Sequence, residues 1–523
     1  MRKSMIRSLV VAVGMAAFGM PLSVFAQGPQ PQPAPAVALV RQLSVDEAVR
    51  LATENNLGIQ LARYEPQLED LNLAQVRASY VPSVSSTFQS SSRTQPNRSF
   101  LAGAVTANED TFINNTGVLA SLPWGGNYEV GWNSSRYQSN DLGSTFNPSL
   151  NSTVSARVTQ PLLRNLKIDS IRQQLQITQI NRDIADLQVR EQVLAISRNV
   201  RNAYWDLAYQ HASLEVARQS LELARESLRN TRARVEIGTI PPIDVIADEA
   251  EVAAREEAVI VAEAQIATGE ESLRALVYDP SLSDFWSIRI EPEDLPPFQP
   301  VDVDVQAAIQ RALAQRSDVQ QVRRSLDIND VNIAFQRNQT LPDVNAQFDY
   351  RLAGVGGRQI QRGAGPLGPG TGEPIGFNER SFGSVLSDVF ANDYPTWTAG
   401  VTISYPIGRS QQEAALARAR LQRNQTQTQL RNSQMQIETE IRQRARQVTT
   451  NQQRVQTTRA SRELQERRLD AEQRKFAAGT STNFQIFQAQ RDLAVARNSE
   501  LRAILDYNQS LVDFATAQEV PVR

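Results

Sequence analysis

The sequence predicts a mainly α-helical, internally duplicated chain whose long helices form a coiled-coil tunnel, an α-barrel. An outer-membrane β-barrel shared between protomers caps that tunnel. Three observations predict this fold: one unit is written twice, each copy holds a very long segment free of glycine and proline, and segments of period-two hydrophobicity accompany both copies.

The duplication comes first because it organises the rest. With a shift of 260, Val45 to Val49 falls on Val305 to Ile309, and the match continues without a gap. Ala52 meets Ala312, Ala74 meets Ala334, Val81-Pro82 meets Leu341-Pro342, and Phe88 meets Phe348. Further along, Gln160-Pro161 corresponds to Tyr405-Pro406 and Gly238-Thr239 to Gly479-Thr480. Self-similarity over such a span marks a repeated structural unit. The chain therefore divides into a segment 1–26, a Pro-rich linker 27–42, a first repeat 43–280, a connector 281–299, a second repeat 300–518 and a tail 519–523. The Pro-rich, acidic stretch from Tyr278 to Pro300 reads as irregular structure.

Within each copy the order is helices, strands, a very long helix, a turn and a shorter helix. Residues 162–237 and 409–478 contain no Gly or Pro, so each can hold a helix of roughly 100 Å at 1.5 Å per residue. Val193, Val200, Leu207, Leu214, Leu221, Leu228 and Val235 recur every seven residues. The second copy repeats the series as Ile441, Val448, Val455, Arg462, Leu469 and Phe476, with one lapse at Arg462. Val245, Val252, Val259, Ile266 and Leu273 give the shorter helix the same period. A sustained heptad keeps one seam against a neighbour as helices supercoil. The flanks are rich in Gln, Arg, Asn and Glu, which suits the wall of a water-filled tube.

Near the proline landmarks the period becomes two. Val344, Ala346, Phe348, Tyr350 and Leu352 alternate with polar residues, as do Trp397, Ala399, Val401, Ile403 and Tyr405. Val84, Ser86 and Phe88, then Val154, Ala156 and Val158, do so in the first copy. Such segments carry the signature of a membrane barrel strand. A further hairpin, with Val118, Ala120 and Leu122 facing Tyr128, Val130 and Trp132 across Pro123 to Gly126, raises the expected contribution from four strands per chain to six. Either number is too small to close a barrel alone, since natural ones begin at about eight strands, so several chains must share it. Gly354 to Pro395 reads as a long external loop.

The N-terminus carries Arg2, Lys3 and Arg7, an apolar run from Leu9 to Phe25, and the small-residue site Val24-Phe25-Ala26. That pattern is a cleaved secretory signal. Beyond it no stretch is long and apolar enough for a membrane-spanning helix. Cysteine is absent, which excludes disulfides, thiolate metal sites and a lipid-modified cysteine. A formal net charge of -2 excludes a globally basic nucleic-acid binder. Hydrophobic residues make up 41% of the chain, low for its length and in keeping with long thin elements.

The repeated plan, the Gln160-Pro161-Leu162-Leu163-Arg164 strand end, its counterpart Tyr405-Pro406-Ile407-Gly408 and the paired Gly-Thr turns resemble the TolC-like outer membrane factor family over about residues 43–518. The resemblance implies a homotrimer with a twelve-stranded barrel in outer membrane lipid and a long periplasmic helical tunnel. Its implied partners are a periplasmic adaptor (membrane fusion protein) and an inner-membrane transporter. The implied role is a passive exit duct of a tripartite efflux or type I secretion system. By the same resemblance the turns around Ile237-Gly238-Thr239 and Ala478-Gly479-Thr480 form a periplasmic tip that docks on the adaptor. Aspartates just past that turn constrict the channel in relatives. Asp244 matches in the first copy, whereas Gln485 and Gln488 stand in the second, so a doubled acidic ring is lost. Asp248 and Glu251 share the helix face of Asp244 by spacing. That face could bias the entrance toward cations or hold a divalent ion, but a solvated acidic face is the simpler expectation.

Nothing points to catalysis, a cofactor or a metal centre. His211 is the single histidine and lies on the long heptad helix, where packing or tunnel lining is expected. The Gly-rich run 354–376 lacks the strand-and-helix context of a phosphate loop. Two alternatives stay open: a structural trimeric coiled-coil and barrel protein, and a periplasmic adaptor without channel activity. The two-fold repeat and the barrel-type strands argue against the adaptor.

Overall fold

The computed structural model describes residues 40–96, 105–140, 144–294, 298–365, 368–408 and 410–520. The secretory signal at 1–26 lies outside the described residues.

The duplication is visible element by element. Helices α1 (Val45–Asn55) and α2 (Leu57–Ala78) recur 260 residues later as α5 (Val305–Gln315) and α6 (Ser317–Gln339). Each pair starts on a side-chain cap: Ser44 accepts from the Glu47 amide, and Asp304 from the amides of Gln306 and Ala307. Such caps satisfy the otherwise unpaired first N–H groups. A short strand corrects the expectation that the stretch from Tyr278 to Pro300 is irregular. β1 (Val40–Leu43) pairs in parallel with β6 (Arg289–Pro292), and a 3₁₀ turn at Phe285–Ser287 precedes β6. The pairing is possible because Leu43, Ile288 and Ile290 are buried apolar residues within the otherwise polar, Pro-rich segments.

After α2 come β2 (Ser83–Pro96), β3 (Thr106–Ser121), β4 (Asn127–Ser139) and β5 (Phe146–Pro161). After α6 come β7 (Asp343–Gly365), β8 (Gly368–Arg380), helix α7 (Phe382–Ala391) and β9 (Pro395–Ser404). They form one antiparallel sheet in the order β2-β3-β4-β5-β7, with β8 and β9 both on the far side of β7, β8 at its outer half and β9 at its inner half. Each level of the wall is therefore six strands wide, as the additional hairpin predicts. The register aligns every apolar set. One unbroken row runs Val84, Val118, Val130, Ala156, Tyr350, Trp397, and the row beside it runs Ala120, Tyr128, Val158, Phe348, Ala399. Because side chains alternate with period two, a slip of one residue at any pair would break this face. The opposite face carries Ser85, Asn115, Asn133, Thr153, Gln347 and Thr402, a polar lining. The β3–β4 turn uses Gly125 at φ +94°, where a Cβ would come within 2.5 Å of the Asn165 carbonyl oxygen.

The stretch Gly354 to Pro395 is not a plain loop. It continues β7, turns into β8 and ends in α7, which lies on the apolar face of β7. Glycines make this approach possible: a Cβ on Gly354 would sit 2.3 Å from the Val385 carbonyl oxygen, and one on Gly356 2.4 Å from Val385 Cγ2. Arg380 clasps Asp388 at 2.7 Å, and the Tyr350 hydroxyl donates to Asn392 at the end of α7.

The long helices are α3 (Ser170–Glu236) and α8 (Gln411–Ala477), 67 residues each and so roughly 100 Å long. Their shorter partners are α4 (Ile243–Val277) and α9 (Asn483–Ala517). α3 pairs with α4, α8 with α9, and α3 with α9, giving the lateral order α4-α3-α9-α8 in the tip half, while α2 and α6 take the places of α4 and α9 nearer the sheet. The heptad residues Val200, Leu207, Leu214 and Leu221, and Ile441, Val448, Val455 and Leu469, are buried in these seams. Arg462, where the heptad lapses, bonds Glu500 and Glu466 instead. α3 begins at Ser170, later than its composition allows, because Asp169 caps it and Asn165 turns at φ +64°. No described helix is long and apolar enough to cross a membrane.

Candidate functional site

Both helical hairpins end at the same extremity, remote from the sheet. At the first turn Gly238 adopts φ +76°, its N–H donates to the Val235 carbonyl, and Thr239 N–H donates to the Arg234 carbonyl at 2.9 Å. At the second, Gly479 adopts φ +77°, donating to Phe476, and Thr480 donates to Lys475 at 2.9 Å. Each is a Schellman stop, which needs a left-handed residue that glycine adopts without a Cβ penalty. Thr239 and Thr480 add hydroxyl donations to the same carbonyls, those of Arg234 and Lys475. Open space surrounds both glycines, so the left-handed backbone, and not crowding, selects them.

The two turns are tied together. Asn483 donates to the Thr231 hydroxyl at 2.9 Å, and the Arg234 guanidinium lies 4.6 Å from the Phe476 ring centre. Around them stand apolar side chains that face solvent: Ile237 (73% exposed), Phe484 (68%), Ile243 and Ile246. Large apolar side chains left in solvent at two turns that are tied together suit an interaction surface. Sequence reasoning included Ile237 and missed Ile243, Ile246 and Phe484. Their signal was available, because they are large apolar residues in the first turns of α4 and α9, off the heptad seam.

The acidic set does not behave as one solvated face. Asp244 lies in the first turn of α4 and is half-buried. Asp248 is only 1% exposed and lies against α3, near the hydroxyls of Thr231 and Ser227. Burial pushes its carboxyl above the ordinary carboxylate range, with Asp244 and Glu251 adding to the rise. Glu251 pairs with Arg255 at 2.6 Å and reaches Arg491 of α9 at 3.7 Å. The solvated face expected from spacing is thus corrected at Asp248, which occupies an inward heptad position three residues after Val245. In the second copy Gln485 closes the capping box of α9 with Thr482, and Gln488 donates to Asp492. His211 is half-buried on α3, with its Nε2 enclosed, and burial lowers its pKa.

A pH dependence follows from Asp248. Its folded-state pKa is raised, so its contribution to stability is complete below the unfolded carboxylate value and is lost as pH rises through the folded value. Asp248→Asn is therefore expected to raise the melting temperature at pH 7 and to lose that advantage near pH 4. Equal melting curves at both values would show that the carboxyl is solvated.

The flanks of the bundle carry a second apolar series. Ile246 and Ile260 on α4, and Leu421 and Met435 on α8, are exposed and stand fourteen residues apart in each pair. Two heptads separate the members of each pair; the α4 pair lies in the tip half of the bundle, and the α8 pair lies nearer the sheet, where Arg423 and Thr426 bond Asp330 and Asn329 of α6.

The described fold matches solved outer-membrane channels. The Campylobacter jejuni CmeC outer membrane channel aligns with a TM-score of 0.63 at 14% identity, covering 91% of this chain and 85% of that one. The Vibrio cholerae outer membrane protein VceC aligns at 0.61 and 14%, covering 91% and 96%. The open state of the Neisseria gonorrhoeae MtrE outer membrane channel aligns at 0.59 and 14%, covering 91% and 89%. Comparison with curated protein sequences gives no match. The family described as "Outer membrane efflux protein" matches residues 126–277 and 308–517, spanning both repeats. This chain belongs to the outer membrane efflux protein family.

Proposed function

We propose that three copies of this chain form the exit duct of a tripartite efflux or type I secretion system, conducting substrate passively from an inner-membrane transporter to the exterior. The observation that carries this reading is one apolar face, continuous across all six strands, joined to helices of roughly 100 Å that end in a paired apolar tip. The apolar face suits lipid and the polar face a water-filled lumen. The exposed apolar residues on α4 and α8 supply the contact between neighbouring chains. The energy comes from the transporter, a periplasmic adaptor engages the tip, and substrate diffuses through a polar tube. No step calls for a catalytic group or a cofactor.

In this reading Ile237, Gly238, Thr239, Ala478, Gly479 and Thr480 form the docking surface. Asp244, at the start of α4, and Gln485 and Gln488, near the start of α9, lie at the level of the constriction. Asp248 acts there by setting the packing of α4 on α3. Gly238→Val or Gly479→Val forces a β-branched residue into the left-handed region at a cost of about 1–2 kcal/mol. Adaptor affinity is expected to fall about 5- to 30-fold while trimers persist, measured by pull-down or surface plasmon resonance with the cognate adaptor. Unchanged affinity would remove the tip from the docking surface.

A further inference from the structure

We infer that the membrane barrel of this protein has eighteen strands, six from each of three chains, closed by β9 of one chain pairing with β2 of the next. The inference rests on the trimeric duct reading above, and it departs from the twelve-stranded barrel that the resemblance implies.

The wall is open on both sides, at β2 on one and at β9 on the other, with β8 continuing the second side further out. At one end of the order is β2, bonded only to β3; at the level of β9 the other end is β9, bonded only to β7. Almost all of β2 and all of β9 are exposed. Lipid cannot satisfy free backbone N–H and C=O groups, so an open edge at membrane depth must find a strand. The directions fit. β2 leaves the α2 side of the sheet and β9 returns toward α8, so β9 against β2 of a second copy is antiparallel, like every other pair in the wall.

The register within the chain is compatible with closure. The row that starts at Val84, near the helical end of β2, finishes at Trp397, near the outer end of β9. Val84 of the next chain must lie at the same membrane depth as Val84 of the first. We place it against Ile403 at the helical end of β9, six residues beyond Trp397 and on the same face. Both residues carry side chains on the apolar face, so the lipid-facing band continues across the seam. Repeated three times, the slip amounts to about 18 residues around the barrel. With a rise of about 3.3 Å and a strand spacing of about 4.8 Å, eighteen strands then tilt by about 35°. Outer-membrane barrels tilt by about 35–45°. Six strands per chain thus close with ordinary geometry.

The hairpin β3–β4 cannot be left outside this wall. Its residues Val118, Ala120, Tyr128, Val130 and Trp132 continue the apolar face between β2 and β5, and both of its outer flanks are fully paired. Diameter grows roughly linearly with strand number, so the mouth is about half again as wide as a twelve-stranded one. The helical layer beneath is four helices wide in each chain, two long and two shorter. Selection by size therefore falls on the helical tip and not on the barrel, and the duct accommodates bulky cargo at its exit.

The test is to image the full-length protein in lipid nanodiscs by electron cryomicroscopy and count strands in the membrane layer. Eighteen supports the inference. A trimer with twelve overturns it and leaves the exit-duct reading intact, whereas particles with no barrel overturn both. A second measurement uses the absence of native cysteine. The double variant Val84→Cys/Ile403→Cys is oxidised in the membrane and run on a denaturing gel. Covalently linked trimers support the seam. Failure to cross-link chains, with Val401→Cys in place of Ile403→Cys failing as well, overturns it.

Discussion

Replacing Arg274 by alanine is expected to destabilise the fold by about 3–5 kcal/mol, the usual cost of removing one partner from a buried ion pair. The Arg274 side chain is 6% exposed, and it donates from Nε and Nη2 to the Ile288 carbonyl at 3.0 and 2.6 Å. Glu270 lies one turn earlier at 3.7 Å, and burial raises its carboxyl pKa against the opposing pull of Arg289 and Arg274. Truncation leaves a buried carboxylate with one fewer cation and a carbonyl without its donor. The affected region joins α4 to β6 and so to α1, where the main apolar cluster of the first repeat gathers. Chemical denaturation of the detergent-solubilised protein checks the value. Glu270→Gln in the same chain should recover part of the loss, because the orphaned charge is then gone. A loss below about 1 kcal/mol would class the pair with weak surface bridges.

Val154→Arg is expected to cost about 2–4 kcal/mol in the membrane, whereas Thr153→Arg costs close to nothing. The two positions are neighbours on β5 and face opposite sides. Val154 stands in a row with Trp132 and Leu352, and Thr153 in a row with Asn133 and Ala353. An arginine near mid-height on the outer face enters hydrocarbon, while on the inner face it enters a wet lumen. Folding into lipid vesicles, followed by urea titration, separates the two. Equal penalties would mean that neither face of the sheet meets lipid, and the barrel would lose its main support.

Most of this architecture was legible because it rests on periodicity. The 260-residue shift predicts α5 and α6 from α1 and α2 at their first residues, Val305 and Ser317. The heptads predict which residues of α3 and α8 are buried, and the period-two segments predict the apolar face strand by strand. What escaped did so for particular reasons. β8 was hidden because Gly and Pro dominate it and are depleted in strands. Its pairing comes from β7, not from its own propensity. Helix α7 is ten residues long, too short for a repeat to announce it, and its place depends on two glycines in a strand more than twenty residues earlier.

The tip was only half legible. Gly-Thr recurrence located both turns, since a left-handed stop needs glycine. Spacing against Asp244 and Glu251 predicts a solvated Asp248, whereas the seam decides its place. Counted from Val245 it is an inward position, like Ala262 counted from Val259, and both are buried. The roles of Gln485 and Gln488 depend on Thr482 and Asp492, contacts that no spacing rule selects.

The most direct measurement is the mass and shape of the protein extracted from the outer membrane in mild detergent, by light scattering and negative-stain imaging. A three-chain hollow cylinder longer than about 100 Å is the predicted result. A compact or soluble monomer would contradict the account, because the free edges of β2 and β9 and the exposed apolar residues on α4 and α8 would then have no partner.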